Sequence, residues 1–376
     1  MNDSRLARLA DVLVNYSVRV RPDDLVLVRA TTVAERLVLE ICRAVVEAGG
    51  RPHIRLWPEE YEELLLKHGR PRQLAAVNPI LVHEMKTVDC MIAVWGGRNT
   101  RFLAGVDPKK QARLQQSRRP LLDLLMSREA ARRRPLRWVG TQYPCDSAAQ
   151  DADMSTADFA DFVFRAGFLH KSDPAAEWRK LSVAQQRLCD FLGRCRQLRF
   201  RHPDGTDLRV GVAGRRWINC DGANNFPDGE VFTGPIEDGT DGVVQYRFPA
   251  LYGGREAHDV RLVFRAGRVV DCSASRGEDF LTQMLDQDPG ARRLGEIAIG
   301  TNYHIDRYMR NTLFDEKIGG TFHAALGAAY TKTGGRNKSA LHWDMVCDLR
   351  RGGVIEADGR VISRDGRFTN RAWPRP

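Results

Sequence analysis

Short apolar runs alternate with helical stretches through the first half of the chain, and this pattern constrains the fold more than any other feature. The stretch at residues 33–47 has helical periodicity and ends at Gly49 and Gly50. Strands that alternate with helices favour βαβ units and a mostly parallel sheet. We therefore predict an α/β N-terminal domain, whose strands lie near residues 24–29, 53–57, 91–95 and 138–140.

The pattern changes after a helix that begins at Asp173-Pro174, where an N-cap residue precedes proline. Beyond it, short strands flank tight turns such as Asp204-Gly205, which is typical of antiparallel hairpins. The chain has 376 residues, too many for one ordinary core. We predict two domains, residues 1–175 and an α+β domain at 176–376 that is rich in antiparallel strands. Hairpins are predicted at 198–212, 260–272 and 353–368, and helices near 276–286 and 321–332.

Composition excludes several classes of protein. With 43% hydrophobic and 28% charged residues, the chain is of the ordinary globular kind. It has no apolar run of about 18 residues, and its first residues lack a long apolar segment, so we expect no membrane span and no signal peptide. The eight cysteines form no CxxC pair, which indicates reduced thiols and a cytoplasmic location.

The net charge of +10 raises the question of nucleic-acid binding. The densest basic cluster, residues 128–137, is not interleaved with aromatic side chains, and only Trp138 follows it. We interpret the cluster as a solvated helix end and loop, and expect no nucleic-acid partner.

The richest group of metal-capable residues lies in the segment 321–344. On a helix, His323 and Tyr330 would project from one face because seven residues make almost two turns. On a strand, His342 and Asp344 share a face because side chains alternate. Each residue alone is as readily explained as a core or surface side chain.

Two upstream glutamates change the interpretation. Glu296 stands inside an apolar strand-like run, where an unpaired carboxylate is costly, and Glu230 follows a Pro-Asp-Gly turn. Together with the downstream residues they form a mixed oxygen and nitrogen set suited to zinc, cobalt or manganese. Two such ions can activate water for hydrolysis. The GxSxG, HExxH and P-loop motifs of other enzyme classes are absent from the sequence.

The chain resembles the M29 family of thermophilic-type metalloaminopeptidases. The resemblance is strongest at residues 223–370, in PDGEVFTGP, LGEIAIGTN, NTLFDEKIGGTFHAALGAAY and SALHWDM. It implies two divalent metal ions per chain and a homodimer. The metal ligands that it implies are Glu230, Glu296, His323, Tyr330, His342 and Asp344.

The resemblance implies an aminopeptidase that releases the first residue of peptides with a free N-terminus. Glu316 and Tyr330 are the candidate catalytic residues, with Glu316 as general base or amine-binding group, or alternatively as a cap on a helix dipole. Arg310 either polarises a substrate carbonyl or is an ordinary surface residue. The connection at 331–341 is shorter than in many members, which affects substrate access. The alternatives are a mononuclear Fe(II) ring-cleaving dioxygenase of the hydroxypyridine type and a non-catalytic metal-binding protein.

Overall fold

The structure is a computed structural model that describes residues 4–376, apart from the side chain of Pro108. Strands and helices occupy most of these residues. Residues 1–3, part of the segment in which no signal peptide is predicted, lie outside the described residues. The strands in chain order are β1 (Leu25–Thr31), β2 (Arg51–Trp57), β3 (Cys90–Trp95), β4 (Arg137–Gln142), β5 (Gln197–His202), β6 (Thr206–Gly211), β7 (Ile218–Cys220), β8 (Asn225–Phe226), β9 (Glu230–Thr233), β10 (Thr240–Tyr246), β11 (Ala250–Tyr252), β12 (Arg255–Ala257), β13 (Val260–Arg265), β14 (Arg268–Ser273), β15 (Leu294–Gly300), β16 (Thr321–Gly327), β17 (His342–Asp348), β18 (Val354–Ala357), β19 (Arg360–Arg364) and β20 (Arg367–Phe368).

The helices differ widely in length. In chain order they are α1 (Ser4–Asp11), α2 (Glu35–Glu47), α3 (Glu60–His68), α4 (Pro71–Ala75), α5 (Pro79–Thr87), α6 (Pro108–Glu129), α7 (Asp146–Asp151), α8 (Thr156–Ala166), α9 (Pro174–Leu192), α10 (Glu278–Leu285) and α11 (Thr312–Asp315). A π-helical turn spans Val12–Ser17, and 3₁₀ turns span Thr32–Ala34 and Thr331–Thr333. Within residues 4–376, no helix combines the length and the apolar composition that crossing a bilayer requires. All eight cysteines are free thiols.

The chain divides into two units. One contains the residues up to Ala175 together with Gly222–Pro227, and the other contains Ala176–Asp221 and Asp228–Pro376. The short segment Gly222–Pro227, which the sequence assigns to the second domain, carries β8 and pairs with β4 in the first unit.

The first unit is built on a parallel sheet with the strand order β2-β1-β3-β4-β8. The central strand β3 is apolar and buried over almost its whole length, as expected for a parallel sheet covered on both faces. Helix α2 packs an apolar stripe that includes Leu37, Ile41 and Val45. The predicted α/β domain is therefore confirmed.

The second unit contains antiparallel sheets. The larger has the order β14-β13-β10-β6-β5-β18-β19-β20, and the predicted hairpins at 198–212, 260–272 and 353–368 all lie in it. The turn residues Asp358 and Asp365 have the positive φ that tight hairpins need, and each precedes a glycine. A second sheet has the order β17-β16-β15-β9-β7 and positions the candidate site. The predicted α+β class is confirmed.

The prediction of a helix at 321–332 is wrong. Residues Thr321–Gly327 form strand β16, and Tyr330 lies beyond its end, so His323 and Tyr330 do not share a helical face. Alanine favours helices, but tertiary structure routinely overrides intrinsic propensity. Here the strands on both sides decide the outcome, because β16 pairs along its length with β15 and β17. Gly320 has φ +87° in the turn before the strand. Without that helix, Glu316 has no helix dipole at 321 to cap.

Candidate metal centre

One face of the five-stranded antiparallel sheet β17-β16-β15-β9-β7 carries most of the predicted site residues. Glu230 is on β9, Glu296 on β15, His323 on β16, and His342 with Asp344 on β17. These strands are neighbours in the sheet, so residues far apart in sequence lie side by side. The opposite face of the same strands is apolar and buried, because side chains alternate between faces. It contributes Ile297, Ile299, Phe322, Leu326, Trp343 and Met345 to the core of the unit.

Small residues alternate with the polar ones on the site face. Ala325 pairs with both Glu296 and Asp344, so a methyl group separates the two carboxylates. Directly opposite positions on adjacent strands share a face and lie close together. The small side chains therefore leave space where the acidic and imidazole groups can meet. In the same way, Ala298 pairs with His323, Gly300 with Glu230 and Gly327 with His342.

A β-bulge sets the position of Glu296. The pairing of β15 with β16 shifts between Leu294 and Glu296, and Gly295 occupies the bulge. A Cβ on Gly295 would lie 2.1 Å from the carbonyl oxygen of Ala328, so only glycine fits against that backbone.

We expect Gly295→Ala to lower the free energy of unfolding by about 1–3 kcal/mol, because the backbone of β15 or that of Gly327 and Ala328 must move to admit the methyl group. The thermal unfolding midpoint of the purified protein measures the effect. Gly105→Ala is the matched control, since a Cβ there meets no atom within 4 Å. Equal midpoints for the two variants would contradict the close approach.

The carboxylates surround the two imidazole rings. Glu296 lies between them, with Oε1 3.2 Å from His323 Nε2 and Oε2 3.7 Å from His342 Nε2. Asp344 is also shared, because its oxygens lie 3.9 Å from His323 Nε2 and 3.6 Å from His342 Nε2. Glu230 Oε2 is 3.5 Å from His323 Nε2. His323 is therefore at the centre of the cluster.

Backbone carbonyl groups fix the orientation of both rings. Nδ1 of His323 donates to the carbonyl oxygen of Glu316 at 3.2 Å, and Nδ1 of His342 donates to that of Ala328 at 2.9 Å. A carbonyl oxygen can only accept, so each Nδ1 carries a proton and each Nε2 faces the carboxylates. This arrangement is the one in which a histidine presents Nε2 to a metal ion.

The donor set fits a metal centre. Glu230 Oε2 and Asp344 Oδ1 are buried and have no hydrogen-bond partner among the described residues. Such atoms are rare in folded proteins and call for an ion or another ligand. His323 belongs to two groups of possible metal ligands, one with Glu230 and Glu316 and the other with Glu296 and Asp344. Within each group, the ligand atoms lie within 4.8 Å of one another.

In the metal-free protein, protons and one ammonium group partly compensate the negative charge. Burial alone would lower the pKa of His323, but its hydrogen bond to Glu296 and the charges of Glu230 and Glu316 raise it to about 10. Burial and the charge of Glu316 raise the pKa of Asp344 to about 7. A metal ion on Nε2 of His323 must therefore displace a proton.

Glu316 lies beside Asp344 and Lys317 at the edge of this cluster. Burial alone would raise its pKa, but the charge of Lys317 and then that of His323 outweigh burial, and the pKa of Glu316 is lowered. Glu316 is therefore the ionised member of its pair with Asp344, as a base or an amine-binding group requires.

Tyr330 lies at the rim of the cluster. Its ring packs edge-on against His342, with 5.3 Å between centroids, and against Phe232 at 5.5 Å. The residue as a whole is 40% exposed. Desolvation of the hydroxyl group and the negative charges of Glu296 and Asp344 raise its pKa. The structure thus brings Tyr330 to the site from a loop rather than from a helix.

Lys317 is the main residue that sequence reasoning missed. Its side chain is 1% exposed, Nζ lies 3.1 Å from Glu230 Oε1, and it also pairs with Glu316. It therefore binds one oxygen of Glu230 and leaves Oε2 facing His323. Asp228 was also missed; it is buried near Glu230 and Cys220, and burial, then the charge of Glu230, raise its pKa to about 8. The sequence signal for Lys317 was its position beside Glu316, which does not reveal burial.

Known proteins are similar to this chain in sequence or in fold. Aminopeptidase 2 of Geobacillus stearothermophilus is 28% identical over 350 residues, which cover 87% of this chain and 84% of that protein. Wild-type AmpT from Thermus thermophilus superposes with a TM-score of 0.86 at 24% identity, over 98% of this chain and 99% of that one. The 2,5-dihydroxypyridine dioxygenase from Pseudomonas putida KT2440 superposes with a TM-score of 0.58 at 14% identity, over 98% of both chains. The two structural similarities show the fold alone.

The sequence similarities place the chain among enzymes, in the metalloaminopeptidase class of hydrolases. The sequence profile of the family described as "Thermophilic metalloprotease (M29)" matches residues 2–368. The chain belongs to this family, and the predicted resemblance is confirmed.

Proposed function

We propose that this chain removes the first residue from peptides with a free N-terminus by means of two divalent cations, zinc, cobalt or manganese. The observation that supports this most directly is the position of Glu296, whose two oxygens face two different imidazole nitrogens. Glu296 would therefore help to hold both ions. The proposed ligands are Glu230, Glu296, His323, Tyr330, His342 and Asp344.

The charge of the site supports two ions rather than one. The carboxylates of Glu230 and Glu316 pair with the ammonium of Lys317, and those of Glu296 and Asp344 lie beside His323. A phenolate at Tyr330 would add one negative charge. With neutral imidazoles, these groups carry four more negative than positive charges, which two divalent cations balance. Uncompensated burial of so many carboxylates is costly.

Two bound divalent cations would supply polarisation of the scissile carbonyl and a lowered pKa for a water molecule. Glu316, ionised beside Asp344, would accept a proton or bind the free amine of the substrate. Lys317 would keep Glu230 and Glu316 in place through its ion pairs. The proposal also includes a homodimer and a cytoplasmic location.

Hydrolysis of leucine p-nitroanilide tests the proposal. We expect the purified protein to release nitroaniline, to lose activity in a chelator, and to regain it with zinc, cobalt or manganese. N-acetyl-leucine p-nitroanilide should be cleaved far more slowly because it lacks a free amine. Equal cleavage of the blocked and free substrates would contradict an aminopeptidase.

Metal analysis of the same preparation separates the alternatives. Two zinc, cobalt or manganese ions per chain are expected. One iron per chain with no peptidase activity would favour a mononuclear dioxygenase, and a folded protein that binds no metal would contradict both enzymes.

A further inference from the structure

A cavity adjoins the candidate metal centre on the side of Glu316 and Asp344. The cavity is partly open to solvent. Leu251 and Val346 give it an apolar wall, and Arg310 also lines it. Since Glu316 and Asp344 line both the cavity and the centre, a molecule that fills the cavity lies next to the reacting atoms.

The backbone holds Arg310 in an unusual conformation. Its φ is +56°, a left-handed value that is uncommon for a long side chain and often marks a functional position. The buried carboxylate of Asp315 accepts hydrogen bonds from the N–H groups on either side, those of Met309 at 2.6 Å and Asn311 at 2.7 Å. The turn is therefore held rigidly, and the position of Arg310 is set by the fold.

The loop that carries Arg310 is also attached to another segment that lines the cavity. The hydroxyl group of Tyr308 donates to the carbonyl oxygen of Pro249, and its ring stacks on Phe248 with 4.7 Å between centroids. Two segments that line the cavity, the loop of Arg310 and the segment at Pro249, are thus joined to each other.

The existing partner of Arg310 is distant. Nη1 lies 3.6 Å from Glu256 Oε1, which is longer than a hydrogen bond, and Glu256 is also paired with His258 at 3.0 Å. The side chain of Arg310 is 35% exposed. A carboxylate in the cavity could therefore form the two parallel hydrogen bonds that a guanidinium group favours.

We propose that Arg310 binds a carboxylate of the substrate and so makes this enzyme selective for peptides that present a carboxylate near the N-terminal residue. The carboxylate is either the side chain of an N-terminal aspartate or glutamate or the C-terminal carboxylate of a dipeptide. The apolar wall formed by Leu251 and Val346 would contact the aliphatic part of that residue. This inference rests on the proposed aminopeptidase function, since it names the substrate class of the same site.

Matched substrate pairs and the variant Arg310→Met test the proposal. The first pair is the p-nitroanilides of glutamate and glutamine, and the second is Leu-Gly and Leu-Gly amide. We expect kcat/KM of the wild type to favour the charged member of one pair by roughly 10- to 100-fold, and Arg310→Met to abolish that preference. The first pair identifies a side-chain carboxylate, and the second identifies a terminal one.

Two further variants and a binding measurement keep the test decisive. Arg310→Lys should retain part of the preference, and Arg261→Met, which removes an arginine paired with Asp271 elsewhere, should retain all of it. Calorimetric binding of glutamate and glutamine to the zinc-loaded protein gives a readout that does not depend on turnover. If no peptide is cleaved but glutamate binds in an Arg310-dependent manner, the proposed function fails and the carboxylate site stands. If Arg310→Met leaves the substrate and ligand preferences unchanged, the carboxylate site is overturned.

Discussion

Glu296→Gln should abolish aminopeptidase activity and remove metal from the protein, although it changes only one atom of the side chain. The two oxygens of Glu296 face two different Nε2 atoms, at 3.2 Å from His323 and 3.7 Å from His342, and the residue is 4% exposed. Loss of a group that merely supports a metal ligand costs about 10–100-fold, so we expect kcat/KM to fall by more than about 100-fold when a proposed ligand itself is lost. The measurement is hydrolysis of leucine p-nitroanilide, with metal content determined on the same sample.

The metal-free form of this variant should remain folded. Glutamine has the shape of glutamate, and its side-chain oxygen can still accept the hydrogen bond from Nε2 of His323. The circular dichroism spectrum of the variant in chelator should therefore match that of the wild type, which would show that lost activity is not lost structure. Glu60→Gln, on a side chain that is 65% exposed, is the control and should retain activity and metal. Full activity with two ions per chain in Glu296→Gln would refute the ligand assignment.

Local sequence signals were sufficient for most of the fold. Apolar runs predicted β1 and β3, because a strand covered on both faces reads as continuous hydrophobic sequence. Gly-containing turns predicted the hairpins, because the positive φ that they need favours few residues. Both signals depend only on residues close together in the chain.

The segment at Thr321–Gly327 shows where local signals fail. Its alanines favour a helix, whereas the alternation of Phe322, Ala324 and Leu326 on the core face fits a strand. The strands β15 and β17 on either side decide between the two, and they are distant in sequence. The correct choice therefore depended on tertiary structure.

The candidate site was predictable in its residues but not in its electrostatics. The family resemblance suggested Glu230 and Glu296 as ligands. The site residues converge only because the four strands that carry them are adjacent in the sheet. The role of Lys317 could not be predicted, because lysine is almost always exposed and its neighbours in sequence do not reveal a buried position. The roles of these residues in binding metal remain predictions, which the substitutions test.

Lys317→Met should strongly destabilise the metal-free protein. The ammonium lies beside Glu230 and Glu316, and although burial alone would lower its pKa, the charges of Glu230, Glu316 and Asp228 raise that pKa. Its stabilising charge is thus present at neutral pH and lost only as the pH rises above its raised pKa. Methionine fills a similar volume, so the change removes charge rather than packing. Breaking a buried ion pair typically costs about 3–5 kcal/mol, and we expect a loss of stability of that order.

Thermal unfolding in chelator at pH 7, compared with unfolding in saturating zinc, measures this effect. The two midpoints of Lys317→Met should differ more than those of the wild type, because zinc ions replace the missing positive charge as well as bind the folded state. Lys180→Met is the matched control, since Lys180 is 71% exposed and its ion pair with Glu177 contributes little. If Lys317→Met unfolds in chelator at the temperature of the wild type, the buried ammonium does not compensate the carboxylates. The positive charge of Lys317 would then have to be left out of the charge balance that supports two metal ions.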